Sequence, residues 1–141
     1  MKANDILKIK GNILYTTFPE QNLILIIDHM AKLDIGSFVV MDKGSLVGLI
    51  TFREILQLLA KKEKLNLDIP VGKIMQKEPV TASVDMDVTH LQKLMINQHI
   101  RYLPVVNEGI LMGILSFHDV ARAGLVAKDL ENQHLINYLH R

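Results

Sequence analysis

The chain has 141 residues, no cysteine, and sixteen Lys+Arg against fifteen Asp+Glu, a net charge of +1 with histidine neutral. That length suits a domain-sized chain with one proper core. The absence of cysteine excludes a disulfide framework, a thiolate zinc site and a cysteine nucleophile. The balanced charge argues against a sequence-independent nucleic-acid binder, which needs a basic face to neutralise phosphates. At 49% hydrophobic residues the chain is too apolar for disorder. Its longest unbroken aliphatic run, Leu23 to Ile27, falls far short of the ~20 residues of a membrane helix. Met1-Lys2-Ala3-Asn4-Asp5 turns polar at once, without the apolar centre of a signal peptide. The expectation is a cytoplasmic chain with no membrane or nucleic-acid partner.

The sequence is written twice. Sliding it by 65 residues superposes Lys8-Ile9 on Lys73-Ile74, Thr16 on Thr81, Met30 on Met95, Ile35 on Ile100, Val40 on Val105, Gly44 on Gly109, Leu46 on Leu111, Gly48 on Gly113 and Phe52 on Phe117. Those are ten identities over about 55 ungapped positions, where chance gives about three. The weakest match is the closing helix, where Leu59 meets Gly124.

Each copy reads as the same series. An extended piece comes first, Ile13 to Thr16 or Pro79 to Thr81. A helix follows. In copy one Pro19-Glu20 suits its first turn, and Leu23, Ile26, Ile27, Met30 and Leu33 form its apolar stripe. In copy two Val88, Leu91, Leu94 and Met95 repeat the stripe. Two short apolar strands come next, Phe38 to Met41 and Leu46 to Ile50. The turn between them, Asp42-Lys43-Gly44-Ser45, has a glycine for positive φ. Their counterparts are Leu103 to Val106 and Ile110 to Leu115. Pro104 cannot donate to a ladder, which predicts an edge strand or a strand start there. A second helix closes each copy, from about Phe52 to Lys64 and from Phe117 to about Ala127. The fold class is therefore α/β, with two β-α-β-β-α repeats. The first occupies residues 1–64 with the N-terminal segment, then come a linker over 65–70, the second repeat over 71–127, and a further amphipathic helical tail over 128–141.

The chemistry gathers after each hairpin, at Gly48-Leu49-Ile50-Thr51-Phe52-Arg53-Glu54 and Gly113-Ile114-Leu115-Ser116-Phe117-His118-Asp119. A hydroxyl followed three residues later by an acid at a helix start is a capping box, and on that reading the glycine only marks a tight point in a strand. The functional reading uses the same geometry. A strand running into a helix presents free N–H groups and a positive dipole end to an anion. The hydroxyl can bind phosphate, the carboxylate can accept a ribose diol, and the glycine lets a flat base approach the backbone. Recurrence of the whole pattern favours the second reading.

With the Ile100-Arg101-Tyr102-Leu103-Pro104-Val105-Val106 stretch and the Val71-Gly72-Lys73-Ile74-Met75 lead-in, the chain resembles a tandem pair of CBS domains over about residues 3–126. It also resembles small stand-alone bacterial proteins built of little more than one such pair. The resemblance implies two repeats with pseudo-two-fold symmetry packed through their sheets, plus a C-terminal helix. It implies adenine nucleotides or related adenosyl ligands (AMP, ADP, ATP, NAD or S-adenosylmethionine) as regulatory ligands in two clefts between the repeats, and no catalytic cofactor. One site would use Asp119 for the ribose and Ser116 and His118 near the phosphate, with Ile114, Ile13, Thr16, Gly36 and Ser37. The other would use Glu54, Thr51, Arg53 and Leu49, with Val80, Thr81, Arg101 and Tyr102. Copy one has Glu54 where the family usually has Asp, and the extra methylene displaces the carboxylate from a diol clamp. The resemblance also implies a homodimer, and a protein effector that the sequence does not name.

Rival readings are weaker. His29, His90, His99, His118, His134 and His140 show no metal-ligand spacing. Met30 and Met95 lie on apolar stripes as core filler. Lys61-Lys62-Glu63-Lys64 reads as a solvated helix end. Ser116, His118 and Asp119 fall within four residues, which does not readily put a base between nucleophile and acid, so no catalysis is expected. The alternative class is a structural dimerisation or adaptor domain with empty clefts.

Overall fold

A computed structural model describes residues 1–11, 13–61 and 66–140. In chain order the elements are α1 (Ala3–Lys10), β1 (Thr16–Thr17), α2 (Leu23–Leu33), β2 (Ser37–Asp42), β3 (Ser45–Thr51), α3 (Phe52–Leu59), a single 3₁₀ turn (Val71–Lys73), β4 (Gln76–Lys77), β5 (Ala82–Ser83), α4 (Val88–Asn97), β6 (Tyr102–Asn107), β7 (Ile110–Ser116) and α5 (Phe117–Leu139). They form two compact units, Leu14–Val80 and Met1–Ile13 with Thr81–Arg141.

In the Leu14–Val80 unit the sheet order is β1-β2-β3-β4, with β1 parallel to β2 and the other pairs antiparallel. Leu23, Ile26 and Met30 of α2 pack on Phe38, Val40 and Ile50 of the hairpin and on Val71. This is the apolar stripe meeting the buried face of β2 and β3, each large side chain contributing about 1.5–3 kcal/mol. The second unit repeats the plan with sheet order β5-β6-β7. Its core joins Val88, Leu91 and Met95 to Leu103, Val105, Leu115, Val120 and Ala123.

The 65-residue register holds at atomic detail. Lys43-Gly44 and Glu108-Gly109 take φ of 49° and 78°, and of 49° and 79°, turns with two positive φ values that match strand twist. Bulges follow Val40 and Val105. The Phe52 amide donates to Gly36 O at 3.3 Å, and the Phe117 amide to Arg101 O at 2.7 Å.

Four expectations change. Helix α2 begins at Leu23, not at Pro19-Glu20, because Asn22 Oδ1 accepts the Ile24 amide at 2.9 Å and caps it there. Pro19 lies in the preceding turn, and its carbonyl accepts the Gly72 amide at 2.9 Å. Second, β6 is a central strand and Pro104 lies inside it. In copy one the equivalent Val39 donates to Tyr15 O at 3.0 Å, on the parallel side of β2. Proline removes that donor, and the parallel pairing of copy two starts one position later, at Ala82 with Val105. The bonds to β7 are untouched. Third, no break separates the tail from the closing helix, and α5 runs on from Phe117 to Leu139. Nothing between Ala127 and Leu139 is a proline or glycine that would end it. Helix α3 by contrast ends at Leu59, and residues 62–65 of its expected extension and linker lie outside the described residues.

Fourth, the N-terminal segment belongs with copy two. Ala3 and Ile6 of α1 are buried in that core. The Ala3 amide donates to Met86 O at 2.8 Å and the Val88 amide to Met1 O at 2.9 Å. The corresponding lead-in of copy two, residues 71–80, belongs with copy one. Each repeat is thus completed by the stretch that precedes the other in sequence.

Candidate functional site

The two repeated motifs lie where β3 runs into α3 and β7 into α5. Sequence makes both turns into capped helix starts. At the first, Thr51 Oγ1 accepts the Arg53 amide at 3.2 Å, and Glu54 Oε1 accepts the Thr51 amide at 3.1 Å. The Thr51 hydroxyl donates to Glu54, 3.0 Å from each carboxylate oxygen. Glu54 is 5% exposed and Thr51 6%. Burial pushes the Glu54 carboxyl above its ordinary value, against the hydrogen bonds from Thr51 and Gln76 and the charge of Arg53. This carboxylate is closed in.

At the second motif, Ser116 Oγ accepts the Asp119 amide at 3.0 Å and Asp119 Oδ2 accepts the Ser116 amide at 2.8 Å. Here the acid keeps 21% of its side chain in solvent. The Lys10 ammonium, at the end of α1, donates to Asp119 Oδ2 at 2.8 Å and to Ile114 O at 2.9 Å. Burial pushes Asp119 upward, but the bonds from Lys10 and Ser116 and the lysine charge outweigh it and hold the carboxyl below its ordinary value. Among the described residues nothing donates to Oδ1. Tyr102 pairs with Ser116 across the sheet. Its phenol is pushed up by burial, with Arg101 opposing and the Asp119 charge adding.

The other expected residues are placed as follows. His118 is exposed on the first turn of α5, where Nε2 accepts from Arg122 Nη2 at 3.1 Å. Arg53 and Arg101 are exposed. Thr16 on β1 is exposed, Ser37 opens β2 half-buried, and Gly36 is buried before it. Leu49 and Ile114 turn their side chains into the protein at 2% and 9% exposure, so only their backbones can serve a ligand. Ile13, Val80 and Thr81 are exposed and outside any strand.

Each motif glycine lets its lead-in segment pack close against the strand backbone. A Cβ on Gly48 would collide with Met75 Sδ and lie 2.8 Å from Gln76 O, and one on Gly113 would lie 2.7 Å from Leu7 Cδ2. The space above each glycine is filled by the exchanged lead-in segment.

A CBS domain model matches residues 12–61 and 71–126. The chain belongs to the CBS domain family. The chain is 33% identical over 132 residues to a methylated protein of Methanocaldococcus jannaschii, covering 86% of this chain and 72% of that protein. A CBS-domain containing protein of Agrobacterium tumefaciens has a structure similar at a TM-score of 0.81 and 27% identity, over 87% of this chain and 98% of that one. A CBS domain pair solved with 5′-methylthioadenosine and S-adenosyl-L-methionine matches at 0.74 and 26%, over 87% and 94%.

Sequence reasoning missed Lys10 and Gln76. A signal for Lys10 was present: the 65-residue register sets it on Met75, a lysine where the other copy has an apolar residue. The signal for Gln76 is weaker, since its counterpart is Gly11.

Proposed function

We propose that this CBS chain is a non-catalytic regulatory module that binds an adenosine-containing ligand, with Asp119 as the ribose acceptor at the start of α5. The observation that carries the reading is the Asp119 carboxylate itself. It is held ionised at a helix N-terminus, partly open to solvent, with one oxygen free of donors among the described residues. A vicinal diol needs such an acceptor. The backbone N–H groups of the first turn of α5, with His118 on that turn and Arg122 on the next, suit an anionic group beside it. The relative solved with two adenosyl compounds supports the ligand class. At the Thr51–Glu54 motif the Thr51 hydroxyl lies against both carboxylate oxygens and the acid is buried, so the Asp119 motif is the better ligand acceptor of the two.

The test is calorimetric titration and thermal shift with AMP, ADP, ATP, NAD and S-adenosylmethionine, since a ligand of the native state raises its melting temperature. Asp119→Ala should weaken the binding by about 1–3 kcal/mol. No binding of any of these up to millimolar concentration refutes the sensor reading and leaves the structural adaptor.

That second reading has an observation of its own. Phe52, Leu56 and Leu59 form an exposed apolar stripe on α3, and Leu125, Leu135, Ile136 and Leu139 stand exposed on α5. We infer that these faces meet a second copy of the chain. Light scattering at high concentration should give a dimer mass, and a monomer overturns it.

A further inference from the structure

Among the described residues, Lys10 is the one charged group that the exchanged lead-in segment brings to the Asp119 motif. Its ammonium is fixed by two bonds, to Asp119 Oδ2 at 2.8 Å and to Ile114 O at 2.9 Å, and its side chain is only 27% exposed. The helix that carries it is anchored by Ala3 and Ile6 in the core and by Leu7 above Gly113. It is therefore a placed charge, not a swinging surface lysine. In the other copy the same register position is Met75, whose sulfur covers Gly48 and brings no charge.

A fixed cation beside the ribose acceptor has two consequences. It shares the Asp119 carboxylate with any hydroxyl that takes Oδ1, so a ligand gains most if it also offers the ammonium a partner. It also meets whatever charge hangs from the sugar. Two unit charges at about 6 Å, with an effective dielectric near 40, change affinity by about tenfold.

We propose that Lys10 sets the charge selectivity of the Asp119 site, favouring adenosyl ligands with an anionic 5′ group and disfavouring those with a cationic sulfonium. This rests on the adenosyl reading above and adds to it the residue that chooses within the class. The lysine lies outside the repeated motif, so this selectivity is not written in the motif itself.

The experiment titrates AMP, adenosine and S-adenosylmethionine into the full chain and into the Lys10→Met, Lys10→Gln and Lys10→Arg variants, with circular dichroism as the folding control. The wild type should prefer AMP to S-adenosylmethionine. In Lys10→Met that preference should fall by about tenfold, while adenosine changes less than about threefold, and Lys10→Arg should keep the wild-type preference. Lys10→Gln should behave as Lys10→Met does, and carries the test if the methionine variant fails to fold. A preference that stays within twofold of wild type in the neutral variants overturns the role of Lys10 and leaves the adenosyl reading standing. Absence of binding by all three compounds to every variant removes the adenosyl reading, and the selectivity with it.

Discussion

Replacing Glu54 separates a cap from a charge. The carboxylate accepts the Thr51 amide and the Thr51 hydroxyl in a place where both residues are nearly sealed from solvent. Glu54→Gln keeps an oxygen for the amide, since a capping box accepts either residue at its third position. It also removes the cost of holding a negative charge in a buried site. The variant should therefore lie within about 1 kcal/mol of wild type at pH 7. Glu54→Ala leaves the buried Thr51 amide without a partner and should cost about 1–3 kcal/mol. The pH dependence has a definite sign. The folded-state value of Glu54 lies above its ordinary 4.5, so the stability it contributes is full below 4.5 and is lost as pH rises through the raised value. Acidification must then favour wild type relative to Glu54→Gln. Urea unfolding of the three proteins at pH 7 and pH 4 measures this through the midpoint at constant slope. The reasoning fails if Glu54→Gln is as damaging as Glu54→Ala at pH 7, or if wild type loses ground to Glu54→Gln on acidification.

Asp119 has the opposite sign. Its folded-state value lies below 3.8, so its contribution is full above 3.8 and is lost as pH falls through the lowered value. Asp119→Asn should melt below wild type at pH 7, with the gap closing in acid. At the glycines, Gly48→Ala puts a Cβ 2.8 Å from the Gln76 carbonyl, a backbone atom that cannot rotate away. It should cost about 1–3 kcal/mol by urea unfolding. Gly113→Ala meets only the end of Leu7 and should cost less.

The repeat, the hairpins and both capped helix starts were legible in the sequence because they rest on local rules. Apolar spacing marks a helix face, a glycine marks positive φ, and a hydroxyl three residues before an acid marks a cap. Pro104 shows where a local rule misled. Proline bars a residue from donating, but only tertiary context tells which side of the strand the missing N–H would have faced. The exchange of lead-in segments was not legible either. Lys8-Ile9 and Lys73-Ile74 align between the copies, and alignment cannot say which copy each segment packs against. Burial of Ala3 and Ile6 decides that, and it is set by shape at a distance of some 80 residues along the chain.

That exchange explains why one motif, spelled twice, gives two different sites. The capping geometry is common to both, so the motif by itself cannot distinguish them. What differs is the segment laid over each. Residues 71–80 bring Met75 above Gly48 and Gln76 to the Glu54 carboxylate, an apolar cover and a neutral donor. An acid so enclosed resists ionisation and serves the helix. Residues 1–13 bring Leu7 above Gly113 and Lys10 to the Asp119 carboxylate, an apolar cover and a cation. An acid so paired stays ionised while part of it remains in water, and it can serve a ligand. The shorter side chain of Asp119 and the longer one of Glu54 follow the same division, since the extra methylene lets Glu54 fold back fully onto Thr51. Moving the charge should therefore move the chemistry. Met75→Lys should bring the Glu54 carboxyl back down toward its ordinary value, visible as a smaller stability difference between acid and neutral conditions than in wild type. An unchanged difference in a folded Met75→Lys protein would show that the lead-in segments do not set the state of the two acids.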